Sequence, residues 1–434
     1  MRWVSAVSVA AALVSLLTGQ SAPVGRPSFL YTAAPTYVAN AWTHGGERFP
    51  AGGHLILVSG AEHRDIAPGF YAAADAAVSY DGKRALFAGK ATLAAKWQVW
   101  ETELAGGAPR RIITSADSCI HPLYLPDGRI VYTRMTATGS EIEVAVPGGK
   151  TDVLTHAPGW YLTDDVLRDG RILFESRDEL FTVYPDGTGV ESLRCDHGPK
   201  RSAGRQIASG DVIFNVAAGL ARYTSVLAAQ ENLPQMNAEV TGPVAEVAPG
   251  RWLVAARPSP GGLYSIQETG PGEHALESVE ASKGANAAQP VVVAARKPPP
   301  EFPSGLVATR TTGNLLCLDA KESKSPMTGT IRSVRVYTRD AAGAARLLGQ
   351  TTVASDGSFY VEVPANRPIR MEVLDAAGAR LQGEEHWFWM RPSEQRICVG
   401  CHAGPERAPE NKVPEILNQI LTPVKMTGEQ GRAL

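Results

Sequence analysis

Apolar runs of three to five residues recur along the first two thirds of the chain, each preceded by a similar glycine-containing turn. Ser79-Tyr80-Asp81-Gly82 leads into Ala85-Leu86-Phe87, Leu125-Pro126-Asp127-Gly128 into Ile130-Val131-Tyr132, and Arg168-Asp169-Gly170 into Ile172-Leu173-Phe174. Looser copies are Ser209-Gly210 before Val212-Ile213-Phe214 and Pro249-Gly250 before Trp252-Leu253-Val254, with a possible first copy at Gly52-Gly53 before Leu55-Ile56-Leu57. Asp-Gly supplies the positive φ of a tight hairpin, and a β-branched or aromatic run after it suits a strand covered on both faces. The turn glycines at 82, 128, 170, 210 and 250 are 46, 42, 40 and 40 residues apart, which is the spacing of a four-stranded propeller blade. Second turns at Pro147-Gly148-Gly149 and Pro185-Asp186-Gly187 match the next hairpin of such a blade.

The pattern predicts an all-β protein: a β-propeller over residues 23–297 with six blades, seven being the alternative count, in repeats that resemble those of TolB-like proteins. Pro298-Pro299-Pro300 reads as a stiff linker over 298–303. Beyond it Ser333–Tyr337 and Phe359–Val363 alternate like half-buried strands, Thr351–Ala354 is a shorter β-prone run, and the turn at 355–358 lies between the last two. These predict a small β-sandwich over 304–385, followed by a short helical segment and tail over 386–434.

Composition sharpens this picture at three points. Hydrophobic residues at 44% and charged residues at 20% describe a folded protein, and 42 basic against 44 acidic side chains leave nothing to draw a nucleic acid. Residues 1–22 have Arg2, then an apolar run from Val4 to Leu17, then small residues: a secretory signal, too short and too interrupted by serines for a membrane anchor. The expectation is a periplasmic or secreted protein with no stable membrane span after cleavage. Five cysteines cannot all pair within one chain, so in an oxidising compartment some thiol has another use.

Cys398-Val399-Gly400-Cys401-His402 supplies that use. Two thiols at this spacing add to the vinyl groups of one haem while the histidine reaches its iron, giving one covalent haem c with Cys398 and Cys401 as attachment points and His402 as proximal ligand. A Cys398–Cys401 disulfide and half of a zinc site are the alternatives, though no second Cys or His pair follows in 403–434. The aromatic run His386-Trp387-Phe388-Trp389-Met390 is placed to wall a macrocycle or to fill the sandwich core.

The sixth iron ligand separates electron transfer from small-molecule chemistry. Met426 and His386 are the nearest candidates, with His121, His156 and His197 offered from propeller loops. Cys195-Asp196-His197 is a weak metal-site pattern, and Lys200, Arg201 and Arg205 are candidates to meet a haem propionate or a partner, against a solvated loop. No nucleophile elbow, phosphate loop or His-Glu-x-x-His sequence supports a hydrolase or nucleotide enzyme.

The propeller, the sandwich and Met390-Arg391-Pro392-Ser393-Glu394-Gln395-Arg396 leading into the CxxCH together resemble the family that shares the middle domain of the hydrazine synthase alpha subunit, most specifically from Gly329 to His402. The resemblance implies a periplasmic haem c protein with the propeller docked on the haem-bearing β domain. It does not carry over hydrazine synthesis, because that subunit looks longer, with a further haem domain and partner subunits. It uses a tyrosine near its motif as an iron ligand, whereas 403–434 here contain no tyrosine and position 406 is Glu406. Three functions follow as expectations. The first is a monohaem cytochrome that uses the propeller as a platform for a redox partner or partner subunit. The second is a haem oxidoreductase or gas-binding protein acting on a small nitrogen or oxygen compound at an open iron. The third is a protein- or saccharide-binding propeller with an accessory haem.

Overall fold

The computed structural model describes residues 26–194, 198, 200–225, 227–281, 284–324, 327–340, 342–384, 386–400 and 407–428. Six four-stranded antiparallel sheets form the blades of a propeller. Five of them are continuous in sequence, beginning at Ala72, Ser118, Leu162, Ser202 and Glu239. In each, the turn glycine read from the sequence precedes the second strand, and Gly82, Gly128, Gly170, Gly210 and Gly250 all take φ between 73° and 99°. The preceding aspartates close these turns: Asp81, Asp127 and Asp169 each accept a hydrogen bond from the backbone N–H two residues on.

The first blade departs from the predicted phase. Its innermost strand is Asn286–Val292, which pairs with Phe29–Ala34; the run after Gly52, His54–Ser59, is the third strand and not the second. The ring is closed by a strand from the far end of the propeller sequence, so the first repeat is displaced by one strand relative to the rest.

Each innermost strand carries a bulge at the same height. Asp75, His121, Ala203 and Gln289 take positive φ there, and their side chains and backbone link one blade to the next around the axis. Gln289 Nε2 donates to Asp75 Oδ1 at 2.6 Å, the His121 N–H to Asp75 Oδ2 at 3.3 Å, His121 Nδ1 to the Thr163 carbonyl at 2.8 Å, and the Gly204 N–H to Asp164 Oδ2 at 3.0 Å.

The sandwich has two four-stranded sheets. One orders Ala345–Thr352, Ser333–Arg339, Ile369–Leu374 and Arg380–Gly383; the other orders Gln395–Cys398, Thr312–Cys317, Phe359–Pro364 and Val424–Lys425. The turn at 355–358 therefore crosses between sheets instead of closing a hairpin. The expected boundary at 385 does not hold, because Gln395–Cys398 and Val424–Lys425 are the two outer strands of the second sheet, both parallel to their neighbours. The attachment segment is part of the sandwich, and its helix is one turn, Ile416–Gln419. Leu315, Val334, Val336, Phe359, Val361, Val363, Ile369 and Val373 fill the space between the sheets. Among the described residues no helix is long and apolar enough to cross a membrane.

Candidate functional site

The strand Gln395–Cys398 carries the first half of the CxxCH to a cleft of about 950 Å³ between the fourth blade and the open end of the sandwich. The blade contributes Tyr161, Phe174, Phe181 and Tyr184, the linker contributes Phe302, and the sandwich contributes Trp387, Phe388, Cys317 and Cys398. The walls are built of stacked rings: Tyr184 lies on Phe302 at 4.1 Å between centroids and Phe174 on Phe181 at 5.5 Å. Phe302 shows that the linker is a wall of the cleft as well as a spacer. The guanidinium groups of Arg171, Arg177 and Arg396 also line it. Arg171 is held by Asp169 and Glu191, and Arg396 by Glu394.

The cleft keeps its shape through one buried joint. Arg391, 4% exposed, extends from the sandwich into the propeller: Nε donates to the Asp186 carbonyl at 2.9 Å, Nη1 to the Val153 carbonyl at 3.1 Å and to His156 Nε2 at 2.5 Å, and Nη2 to Asp152 Oδ2 at 2.6 Å. Nη1 also reaches Asn366 Oδ1 of the sandwich at 2.9 Å. Trp389 enters the apolar core shared by the third and fourth blades, and its Nε1 donates to the Gly187 carbonyl at 3.2 Å. Glu394 accepts from the N–H groups of both Gly189 and Arg391. No sequence signal marked these roles; a charged residue directly after an aromatic run was the available hint.

The sequence-predicted residues separate into three groups. Cys398 and His386 both line the cleft, with Cys398 half-buried and His386 exposed. Burial pushes the Cys398 thiol up to about 11. Cys401, His402, Glu406 and the Cys195-Asp196-His197 run lie outside the described residues, as does the signal over 1–22.

The third group is placed elsewhere. Met426 is 1% exposed in the sandwich core, its N–H bonded to the Glu362 carbonyl, and a Cβ on Gly349 would lie 2.6 Å from its sulfur. It follows the strand at the opposite edge of the sheet from Cys398, three strand spacings or about 14 Å away. This corrects the expectation of a cleft ligand: Met426 is a packing residue. His121 is not in a loop but in the strand Ser118–Tyr124, where it faces the propeller axis beside Arg48 and Asp75. The Nε2 of His156 is taken by Arg391, and burial first, then that guanidinium, hold the imidazole down at about 4, so it is neutral at pH 7. Arg201 is 3% exposed, stacked over Tyr223 and bonded to Gln230, and Arg205 pairs with Asp165, so neither belongs to a solvated loop; Lys200 is exposed and pairs with Asp178.

A six-bladed propeller joined to a sandwich whose edge strand delivers a cysteine motif to an aromatic cleft defines a recognisable class. Residues 314–403, which include that motif, match the family model of the hydrazine synthase alpha subunit middle domain. The alpha subunit of hydrazine synthase from Kuenenia stuttgartiensis is 38% identical over 61 residues, 14% of this chain and 8% of that protein, so the aligned sequence spans under a tenth of the relative's length. In three dimensions the Kuenenia stuttgartiensis hydrazine synthase structure matches 91% of this chain and 72% of its own, with a TM-score of 0.79 at 18% identity, which shows a shared fold. TolB from Acinetobacter baumannii is also similar, over 62% of this chain and 66% of its own, with a TM-score of 0.47 at 15% identity. Over residues 314–403 the chain is thus similar in sequence to the middle domain of hydrazine synthase alpha subunits, and its propeller and sandwich together share the fold of the hydrazine synthase structure.

Proposed function

We propose that this chain is a periplasmic haem c protein that carries one covalent haem between propeller and sandwich and passes electrons to a partner docked on the propeller. The observation that carries the reading is the delivery of Cys398, the first residue of a CxxCH, to a large aromatic cleft. The residues present fit such a group. The cleft is at the upper end of the size range of cofactor sites, its walls are rings suited to a flat macrocycle, and arginines on the lining match the carboxylates at a haem's edge. Cys398 and Cys401 would hold the haem by thioether bonds, with His402 as the proximal ligand. When bound it supplies a one-electron couple whose potential depends on axial ligation and burial.

The chain's own residues set the conditions around it. Trp387 and Phe388 exclude water from the sandwich side and Phe174 and Phe181 from the blade side. Arg391 and Trp389 fix the distance between these walls. A second reading, an open iron position acting on a small nitrogen or oxygen compound, is favoured by the placement of Met426 in the sandwich core, which leaves His386 as the described candidate on the cleft. The relation to a synthase of hydrazine makes nitrogen compounds the first to try.

The test is an absorption spectrum of protein made in cells with haem c maturation, recorded oxidised, reduced, and reduced with carbon monoxide. A sharp reduced band unmoved by carbon monoxide supports electron transfer. A carbon monoxide shift supports the second reading, and absence of covalent haem overturns both. Sequencing the mature amino terminus of the exported protein tests cleavage near residue 22 and the periplasmic assignment.

A further inference from the structure

The cleft holds a second thiol that the haem reading does not use. Cys317 ends the strand Thr312–Cys317 and Cys398 ends Gln395–Cys398; the two strands are adjacent and parallel, with Cys317 directly opposite Cys398. Partners across a ladder present their side chains on the same face with strands about 4.8 Å apart. That separation lies inside the Cα range of about 4.4–6.8 Å that a disulfide spans. Both side chains line the cleft and both pack on the sandwich core. On its other side Cys317 faces Phe359, so its cross-strand sulfur neighbour is Cys398. The register is locked just beyond the pair, where the Leu318 N–H donates to the Cys398 carbonyl at 2.9 Å and the Asp319 N–H to the Val399 carbonyl at 3.2 Å. Gln395–Cys398 is a four-residue edge strand with a ladder partner on one side only, so small adjustments toward Cys317 meet little resistance.

We propose that Cys317 and Cys398 form a reversible disulfide in the chain that has not yet received a group at Cys398. The oxidant is an external disulfide, protein or small molecule. The Cys398 thiolate attacks one sulfur of that disulfide, giving a mixed disulfide and releasing the first thiol. The Cys317 thiolate then attacks Cys398 Sγ and displaces the second. One S–S bond breaks in the oxidant, one forms in the chain, and the two protons end on the oxidant's sulfurs. Because burial keeps Cys398 mostly protonated at neutral pH, the reaction is slow there and quickens with rising pH. Disulfide formation stands on its own geometry. Its consequence, that the disulfide must be reduced before a thioether forms on the same sulfur, rests on the haem reading.

The experiment uses the full chain purified without haem and equilibrated in glutathione redox buffers. Free thiols are blocked with N-ethylmaleimide, and the protein is digested unreduced for mass spectrometry. The expected product is a peptide pair joining Cys317 to Cys398 that disappears on reduction, with Cys398 becoming alkylated in Cys317→Ser. Should that variant not fold, alkylation of Cys317 in Cys398→Ser gives the same readout. A link from Cys398 to Cys401 in place of Cys317, or Cys317 alkylated at every redox ratio, overturns the proposal. Digestion of protein from haem-maturing cells separates the two readings. A haem peptide beside a free Cys317, with the cross-link present in the haem-free chain, supports both. The cross-link without any haem peptide supports the disulfide alone.

Discussion

The propeller axis and the interdomain cleft are both interior, and they are built in opposite ways. At the axis, Arg48, His121, Asp164 and Glu175 converge around a cavity of about 20 Å³, room for about one water, and Asp75 pairs with Arg48 and His121 beside it. Burial would raise the Asp75 carboxyl, but His121, Arg48 and Gln289 outweigh it and hold it below the ordinary range. For Asp164 burial wins, reinforced by the nearby Glu175, and its carboxyl is pushed well above that range. Most polar groups there are closed on one another by the ring of bulges, Arg48 Nε and Asn215 Oδ1 being the buried exceptions among the described residues lining the cavity. The cleft instead leaves aromatic surface facing about 950 Å³ of space, while its Arg171 and Arg396 are tied to neighbouring acids. Protein interiors are close-packed, and uncovered apolar surface on this scale marks a binding site. The same fold therefore contains one interior closed down to a cavity of about 20 Å³ and one that leaves a ring-lined cavity of about 950 Å³.

The largest test of that contrast is the joint that holds the cleft open. Arg391→Ala removes five hydrogen bonds at a 4% exposed position, and the expected loss is about 4 kcal/mol, read as an earlier transition in guanidinium denaturation that separates sandwich from propeller. A single transition at the wild-type midpoint would show that the cleft does not depend on this residue.

His156 gives the joint a pH signature. Its ordinary value of 6.5 falls to about 4 in the folded protein, so between those values the unfolded chain binds the extra proton. Its contribution is fully present above pH 6.5 and is lost as the pH falls toward 4, by about 3 kcal/mol in all. The difference in stability between wild type and His156→Gln should shrink over that window, and a difference independent of pH would refute the coupling.

Gly400→Ala acts at the mouth of the cleft. Its Cβ would lie 2.4 Å from the Glu322 carbonyl oxygen and 2.9 Å from that of Asp319, backbone atoms that cannot turn aside. A loss of about 2 kcal/mol and a reduced yield of covalent haem are expected, measured by denaturation and by haem stain. Met426→Leu should have the smallest effect, below about 1.5 kcal/mol, with an unchanged haem spectrum. A spectral shift would return Met426 to the iron.

Much of the propeller was legible because its information is local: a glycine at positive φ, preceded by an aspartate in three of the five copies, and an apolar run specify each of these second strands within ten residues. The phase of the first blade was not, since nothing near Gly52 reports that Asn286–Val292 will take the innermost place. The site divides in the same way. The spacing of Cys398, Cys401 and His402 is a covalent pattern visible in five residues, while the meeting of Cys317 with Cys398 depends on a parallel pairing across 81 positions of sequence. Met426 was misjudged because proximity in sequence to the motif places it only at the far edge of the same sheet.

The clasp of Asn286–Val292 on Phe29–Ala34 also sets an order of assembly. A chain emerging from its amino terminus holds Phe29–Ala34 without its inner neighbour until some 250 further residues have followed, so the ring remains an open arc through most of its own synthesis. Phe302, Arg391 and Cys398 all come after the clasp in sequence. The cleft is then the last part of the molecule to take shape, and any group fixed at Cys398 after folding arrives at a propeller that is already closed.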